Sequence, residues 1–219
     1  MKKIDVAKKI LNENDRYAFE NILLLSKKKV FCLNMISSPG SGKTTILTKT
    51  ITELRDRLKI GVIEGDIQTD IDAERIRKTK APAIQINTDG ACHLSAAQVS
   101  EALEKLPIED LDLIFIENVG NLVCPSDFNL GENGKVVVLS VAEGDDKPIK
   151  YPGIFAKSKA LLINKIDLLE GGHVDFDIER AKVDARILNK DIKIFPISAK
   201  TGEGFAEWCS WLIDSTTGL

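Results

Sequence analysis

Residues 37–45, with the sequence S-S-P-G-S-G-K-T-T, have the composition of a loop that binds phosphate groups. Glycine and small residues let backbone N–H groups close around a di- or triphosphate, and the N-terminus of a following helix adds a favourable dipole. Lys43 can reach the β- and γ-phosphate oxygens, while the Thr44 hydroxyl can ligate Mg²⁺. The spacing predicts a P-loop, in which further contacts come from Ser38, Pro39, Gly40, Ser41, Gly42 and Thr45.

The first position of this loop departs from the usual G-x-x-x-x-G-K-[ST] pattern, because Ser37 stands where a glycine belongs. A serine forced into a left-handed backbone there would cost about 1–2 kcal/mol and would weaken nucleotide binding. The alternative is an ordinary glycine-serine turn ahead of a helix that happens to carry a lysine. The combined presence of Pro39, Gly40, Gly42 and Lys43 favours the phosphate site.

A second motif, N-K-x-D, occupies residues 164–167 at the end of an apolar segment. The Asp167 carboxylate can accept hydrogen bonds from both N1–H and the 2-amino group of guanine, a pairing that adenine does not offer. Asn164 can supplement the base contacts, and the Lys165 stem can cover the face of the ring. A strand ending in a polar turn is the alternative for this motif. A second guanine-facing loop is expected at Ser198, Ala199 and Lys200.

Two carboxylates follow other apolar segments and could act on the phosphates. Asp66 ends the second segment, where it could hold Mg²⁺ or its water molecules, although a helix or turn cap is the alternative. Glu117 and Gly120 have the D/E-x-x-G spacing, in which the glycine N–H approaches a γ-phosphate and senses its presence. We therefore expect Lys43, Thr44, Asp66 and Glu117 to act in catalysis, with Thr44 and Asp66 on magnesium.

Cys92, His93 and Cys124 follow the third and fourth apolar segments, at the edge where an open α/β sheet binds its ligands. Two thiolates and an imidazole suit Zn²⁺ or Ni²⁺. Adjacent side chains diverge, so we expect the Cys92–His93 pair to be awkward for one tetrahedral ion within one chain. Two copies meeting across a two-fold axis could complete such a site. Ordinary buried cysteines beside a surface histidine are the alternative.

These motifs require strands that end at one edge of a sheet, and the apolar segments supply them. Strands alternate with helical segments, which predicts an α/β fold with a mostly parallel seven-stranded sheet covered by helices on both faces. Residues 4–26 have an amphipathic helical pattern, so we expect a single domain with a helical extension over 1–28 and a P-loop core over 29–219. A helix is expected over 46–58 and a polar loop over 142–151. The expected strands cover residues 30–36, 59–64, 83–87, 113–117, 136–141, 160–163 and 192–197.

The composition is ordinary for a globular protein, with 43% hydrophobic and 29% charged residues among 219. A net charge of −3, with basic residues spread along the chain, gives no sign of a nucleic-acid surface. No apolar run approaches the roughly 18 residues of a membrane span, and the charged beginning of the chain is unlike a signal peptide. We therefore expect a cytoplasmic protein without a nucleic-acid or membrane partner.

The motifs together resemble a known family. Residues 38–44, 64–70, 87–94 (N-T-D-G-A-C-H-L) and 117–125 (E-N-V-G-N-L-V-C-P) are similar to the HypB nickel-incorporation GTPases of [NiFe]-hydrogenase maturation, which are SIMIBI-class P-loop GTPases. The resemblance covers nearly the whole chain and includes N-K-x-D. It implies that Cys92, His93 and Cys124 bind nickel or zinc, and that Asp66 and Glu117 belong to the magnesium and switch region.

The resemblance also implies a GTP-dependent homodimer that hydrolyses GTP to GDP. Such a dimer would hand nickel, with a HypA-type chaperone, to the hydrogenase large-subunit precursor. The sequence contains no obvious catalytic glutamine or arginine finger, so slow intrinsic hydrolysis is expected. One alternative is a urease-maturation GTPase, which should have a C-P-H motif where this chain has Cys124-Pro125-Ser126. Two others are a static nucleotide-dependent metal sensor and a small-molecule kinase, although N-K-x-D argues against the kinase.

Overall fold

The computed structural model describes residues 6–66, 70–172 and 174–218. In this part of the chain a seven-stranded sheet carries helices on both faces, and all of its strand pairs are parallel. The predicted α/β class is therefore confirmed, and the sheet is parallel throughout rather than mostly parallel. The expected helix start at Ile4 and the connection over 67–69 lie outside the described residues.

The spatial order of the strands is β3-β2-β4-β1-β5-β6-β7. The phosphate-binding loop follows β1 and therefore lies at the centre of the sheet. They are β1 (Phe31–Ser37), β2 (Ile60–Asp66), β3 (Ala83–Asn87), β4 (Leu113–Glu117), β5 (Gly134–Ser140), β6 (Ser158–Asn164) and β7 (Lys193–Pro196). The helices are α1 (Val6–Lys28), α2 (Lys43–Leu54), α3 (Asp70–Lys78), α4 (Ala96–Lys105), α5 (Lys147–Lys150), α6 (Pro152–Lys157), α7 (Ile178–Leu188) and α8 (Phe205–Thr217). Because the chain passes from β1 to β2 across β4, a crevice opens at the carboxyl end of β1, where such sheets bind ligands.

The central strand β1 is buried on both of its faces. Phe31, Leu33 and Met35 belong to one hydrophobic core, while Cys32 and Ile36 belong to clusters on the opposite face. Because helices cover both faces of the sheet, apolar residues in such a strand follow one another instead of alternating with polar ones. The first core lies beneath α2, α3 and α8, and the opposite clusters lie beneath α1, α4, α6 and α7. None of the helices in the described ranges is long and apolar enough to cross a membrane.

Two sequence expectations were wrong. The polar loop expected over 142–151 contains the short helix α5, in which Pro148 occupies the first turn, where a backbone N–H is not needed. The helix after the phosphate loop ends at Leu54 rather than at 58, because the N–H groups of Arg57 and Leu58 both turn back to the Leu54 carbonyl. The boundaries of β3 and β4 are the expected ones, and those of the other five strands differ by one or two residues.

The closing helix α8 is anchored to α2 by Trp208, which is fully buried. Its indole Nε1 donates a hydrogen bond to Thr50 Oγ1 at 3.0 Å. The ring stacks on Trp211 at 5.3 Å between centroids and meets the edge of Phe195 at 5.7 Å. Trp208 is therefore a core residue, and its one polar atom is satisfied by the helix that begins in the phosphate loop.

Replacing Thr50 by valine should therefore destabilise the protein. The change keeps the side-chain shape but leaves the buried indole N–H without its acceptor, so we expect a loss of about 1–3 kcal/mol in the free energy of unfolding. The measurement is a urea denaturation curve. Thr52→Val is the matched control. The Thr52 hydroxyl, like that of Thr50, donates to the carbonyl four residues earlier, but Thr52 is exposed and lies away from Trp208. Equal stability of the two variants would contradict this account.

Candidate functional site

A pocket of about 430 Å³ opens at the carboxyl ends of β1, β2 and β4. Gly40 and Gly42 have φ values of +76° and +98°, a left-handed conformation that glycine adopts without strain. The Ser38 carbonyl accepts hydrogen bonds from the hydroxyls of Ser37 (2.6 Å) and Ser41 (2.8 Å), so these serines hold the loop in shape. The predicted residues that line the pocket are Pro39, Gly40, Gly42, Lys43, Thr44, Thr45, Glu117, Gly120 and Lys165.

Ser37 belongs to this site in a way that the sequence did not indicate. It is the last residue of β1 and keeps an extended backbone, so the strain considered for a serine at this position does not arise. Its Oγ accepts a hydrogen bond from Lys43 Nζ at 2.8 Å. The serine therefore places the ammonium group beside the phosphate-binding loop, a contact that the usual glycine could not make.

Hard oxygen donors gather next to Lys43. Thr44 Oγ1 donates a hydrogen bond to Glu117 Oε1 at 2.7 Å, and both side chains are buried. Strand β2 ends at Asp66, in register with Asn87, which brings that position to the same edge, although its side chain is outside the described part. A hydroxyl beside a carboxylate fits Mg²⁺, which prefers oxygen ligands. Sequence reasoning missed two charged residues that also line the pocket, Glu64 and Arg75.

A second, smaller cavity of about 240 Å³ lies beside the phosphate loop. Asp167, Lys165, Ala199 and Lys200 line it, as the two guanine motifs predict. Asp167 Oδ1 accepts a hydrogen bond from Ser198 Oγ at 2.6 Å, and Lys200 Nζ lies 3.9 Å from Oδ2. These contacts fix a carboxylate at the wall of a cavity that is otherwise mainly apolar, an arrangement suited to a flat base with two adjacent donors.

Asn164 lines the same cavity, where we expect it to supplement the base contacts. It is 2% exposed, and both ends of its amide bond protein groups. Nδ2 donates to the Ser41 carbonyl at 2.9 Å, and Oδ1 accepts from Ala199 N–H at 3.1 Å. Asn164 thus joins the phosphate loop to the S-A-K loop, and Lys165 adds a bond from Nζ to the Gly40 carbonyl at 2.8 Å.

Glu143 is a further residue of the site that the sequence did not reveal. Its Oε1 accepts hydrogen bonds from Ser41 Oγ at 2.5 Å and from Ser140 N–H at 3.2 Å. Its Oε2 lies 3.9 Å from Lys147 Nζ. The carboxylate therefore braces the phosphate loop from the β5 side, while Lys150 pairs with Asp146 at 2.6 Å within the same segment. The sequence shows acidic and basic residues after β5. However, Ser41, the phosphate-loop residue that bonds Glu143, lies 102 residues earlier in the chain.

Cys92, His93 and Cys124 come together in one chain, with one ligand atom from each lying within 4.8 Å of the others. Cys92 Sγ is 3.4 Å from His93 Nδ1, so the expectation that the adjacent side chains diverge was wrong. The reason is local: Asp89 and Gly90 both have positive φ, and the chain bends at Cys92 and His93 instead of continuing as a strand or helix. Sulfur and nitrogen donors in this arrangement fit a soft divalent cation.

The electrostatics of this cluster determine what a metal ion meets on arrival. A hydrogen bond with Cys124, followed by desolvation, raises the pKa of the Cys92 thiol above its ordinary value. Burial lowers the pKa of His93. At neutral pH the Cys92 thiol therefore keeps its proton while the imidazole is neutral, so an incoming ion displaces the Cys92 proton and finds no imidazolium to deprotonate.

The fold and the two cavities define a P-loop nucleotide-binding protein. Residues 32–196 match the family model described as the CobW/HypB/UreG nucleotide-binding domain. The chain is 53% identical over 209 residues to the hydrogenase maturation factor HypB of Azotobacter chroococcum, covering 95% of this chain and 68% of that protein. It is 41% identical to the hydrogenase/urease maturation factor HypB of Helicobacter pylori, covering 97% of this chain and 88% of that protein.

Solved structures agree with this assignment. The crystal structure of HypB from Helicobacter pylori in complex with nickel superposes with a TM-score of 0.88 at 40% identity, covering 94% of this chain and 96% of that one. The signal recognition particle receptor FtsY of Elizabethkingia anophelis, 15% identical, has a TM-score of 0.54 over 89% of this chain and 67% of its own, which shows the shared fold alone. The chain belongs to the HypB family of hydrogenase maturation factors, as the sequence motifs indicated.

Metal binding at the cluster should depend on pH with a predictable sign. Because the Cys92 pKa is raised, the thiol must lose its proton on binding, and affinity should rise about tenfold per pH unit for each proton displaced, between about pH 6.5 and 8.5. The lowered pKa of His93 adds no further slope in this range. Competition titrations with nickel, combined with measured proton release, test this.

Cys92→Ser should reduce the slope by one proton, whereas Cys209→Ser should leave it unchanged, because Cys209 is half-buried beside α2 and lies outside the cluster. An affinity that stays constant across this pH range would show that the Cys92 thiol is already deprotonated, contrary to its raised pKa.

Proposed function

We propose that this protein is a GTPase that binds nickel at the Cys92–His93–Cys124 cluster and assists nickel insertion during [NiFe]-hydrogenase maturation. The observation that carries the proposal is one loop, residues 117–124, which contributes to both sites. Glu117 and Gly120 line the phosphate pocket, and Cys124 belongs to the metal cluster. A nucleotide-dependent change in this loop would therefore alter the position of a metal ligand.

Recognition of GTP divides between the two cavities. In the larger cavity the phosphate-loop N–H groups and Lys43 would bind the phosphates, as helix N-termini and P-loop lysines do. In the smaller cavity Asp167, fixed by Ser198, would accept from N1–H and the 2-amino group of guanine. The Lys165 stem would lie over the base, because its ammonium is already bonded to the Gly40 carbonyl.

The proposed reaction is hydrolysis of GTP to GDP and inorganic phosphate. Water attacks the γ-phosphorus, and the bond to the oxygen that bridges the β- and γ-phosphates breaks. Lys43 and the loop N–H groups stabilise the negative charge that develops on the β- and γ-phosphate oxygens. Thr44, with Asp66 and Glu117 nearby, would hold Mg²⁺, which when bound neutralises phosphate charge. Arg75 also lines the phosphate pocket. We still expect slow intrinsic hydrolysis.

Nickel is the cargo of this proposal, with zinc as a possible substitute ion. The three ligands found among the described residues leave coordination positions for water or for a receiving protein, which suits delivery better than permanent storage. By family membership the protein would hand nickel, with a HypA-type chaperone, to the hydrogenase large-subunit precursor. The acting form would be a GTP-dependent homodimer in the cytoplasm. The named Helicobacter pylori relative makes urease a second candidate recipient, although this chain has Ser126 after Cys124-Pro125.

Two measurements on purified protein test the proposal together. We expect phosphate release from GTP, and nickel affinity that differs at least about fivefold between GDP and a non-hydrolysable GTP analogue, the lower end of typical allosteric coupling. Cys124→Ala should abolish tight nickel binding, and Cys209→Ala should not. Nickel binding without phosphate release would support the static sensor instead, and equal affinity in both nucleotide states would exclude nucleotide-controlled delivery.

Replacing Asp167 by asparagine should change which base is bound. The variant loses two charge-assisted acceptor bonds, so GDP affinity should fall about 10²–10³-fold. Xanthosine diphosphate should gain affinity, because the new amide can donate to the 2-carbonyl of xanthine. Fluorescence titration with labelled nucleotides measures both. Asp191→Asn, at an exposed position just before β7 and distant from the nucleotide cavities, is the matched control. Unchanged GDP affinity in Asp167→Asn would place the base elsewhere.

A further inference from the structure

A single buried amide lies between the phosphate pocket and the metal cluster. Asn118 is 2% exposed and follows β4 directly. Its Oδ1 accepts hydrogen bonds from the N–H groups of Val119, at 2.9 Å, and Leu94, at 3.1 Å. Its Nδ2 donates to Asn34 Oδ1 at 3.1 Å. One side chain therefore joins the loop after β4, the segment after Cys92 and His93, and the strand that feeds the phosphate loop.

We propose that Asn118 is the positioning residue that transmits the nucleotide state to the metal cluster. This inference rests on the proposed function and adds the route by which the two sites communicate. Asn118 touches neither the reacting atoms nor the metal ligands in the proposed scheme. It acts by fixing the backbone of one site relative to the other.

The nucleotide end of this route is packed tightly. Asn118 itself lines the phosphate pocket and follows Glu117, which accepts the hydrogen bond of Thr44. Two residues later, a Cβ placed on Gly120 would lie only 3.0–3.1 Å from atoms of Pro39. The loop after β4 therefore rests directly on the phosphate loop. A γ-phosphate that draws the Gly120 N–H toward it would also displace the backbone that carries the Asn118 side chain.

The metal end is attached just as closely. The Leu94 N–H that Asn118 accepts belongs to the residue after His93. The Leu94 side chain is fully buried, and a Cβ placed on Gly65 would lie 2.7 Å from its Cγ atom, so Leu94 also packs on the end of β2. The Cys92–His93 segment is thus fixed at its carboxyl side to the two strands that border the phosphate pocket.

A buried polar network extends from Asn118 to Phe128, the residue that packs on His93. Asn34 Nδ2 donates to Glu132 Oε1 at 3.3 Å, and Lys135 Nζ donates to the same oxygen at 2.5 Å. Lys135 Nζ also donates to the Phe128 carbonyl at 2.8 Å. The Phe128 ring packs on the His93 ring, with centroids 3.9 Å apart. The network therefore reaches both sides of His93, through Leu94 on the chain and through Phe128 across the ring.

The side-chain chemistry explains why an asparagine occupies this position. The amide must accept from two N–H groups and donate to Asn34 at the same time, which neither alanine nor leucine can do. An aspartate retains both acceptor bonds, and in its protonated form, which burial favours, it also donates to Asn34 Oδ1. Asn118→Ala removes the bond to Leu94, whereas Asn118→Asp keeps it.

The test measures the ratio of nickel dissociation constants with GDP and with a non-hydrolysable GTP analogue. In Asn118→Ala we expect this ratio to fall to within about twofold of one, whereas Asn118→Asp should keep most of the wild-type ratio. The thiolate-to-nickel absorption band and the thermal unfolding midpoint show that each variant keeps its cluster and fold. Asn121→Ala is the control, because Asn121 contacts the Cys92 carbonyl at the surface, at 3.4 Å, outside the phosphate pocket.

A wild-type ratio retained in a folded Asn118→Ala protein would overturn this inference and leave the proposed function standing. Equal loss in Asn121→Ala would also overturn it, since any contact with the metal segment would then suffice. A ratio of one in the wild-type protein would remove the proposed coupling itself, and this inference with it.

Discussion

The site depends on how closely the backbone of the phosphate loop approaches its neighbours. A Cβ placed on Gly42 would lie 2.5 Å from Asn164 Nδ2, so the absence of a side chain there lets Asn164 reach the Ser41 carbonyl. On the other side, a Cβ placed on Gly120 would lie 3.0–3.1 Å from atoms of Pro39. The loop is therefore contacted from the base-binding side and from the switch side at once. Neither contact would be available to a loop of bulkier residues, because overpacking of this kind displaces the backbone.

Communication between the two sites requires only a modest free energy, and the observed contacts are of the right size. Allosteric coupling is typically about 1–3 kcal/mol, and one intramolecular hydrogen bond contributes about 0.5–1.5 kcal/mol net. The two bonds that Asn118 Oδ1 accepts are therefore sufficient if they are stronger in one nucleotide state. Burial makes the alternative expensive, since an N–H group left unpaired in the interior loses its full solvation. A few buried amides can therefore supply the coupling free energy between the two sites, and no long-range charge interaction is needed.

The sequence predicted the parts of this structure that depend on local letters and on order along the chain. The motifs, the α/β class and the strand-helix alternation are properties of short segments with clear periodicity. Long-range partners are not, because the bonds Ser41–Glu143, Asn118–Asn34 and Asn164–Ser41 span between 84 and 123 residues. Sequence reasoning missed the convergence of Cys92 and His93 for another reason. It depends on positive φ at Asp89 and Gly90, a conformation that these residue types can adopt but do not always adopt. The motif letters thus marked the ligand edge of the sheet, while the bonds that position the side chains there depended on tertiary contacts.

The accessibility of the metal cluster bears on whether it stores or transfers its ion. A structural zinc site is closed by four protein ligands, whereas the described residues supply three to this cluster, and Cys92 lies exposed at its rim. Contact with Cys124 raises the pKa of the Cys92 thiol above its ordinary value, so this thiol is protonated when no metal is bound. Release of an ion therefore returns Cys92 to its neutral thiol form. Such a site loses its metal at lower free-energy cost than a preformed anionic cage, which is the property that delivery requires.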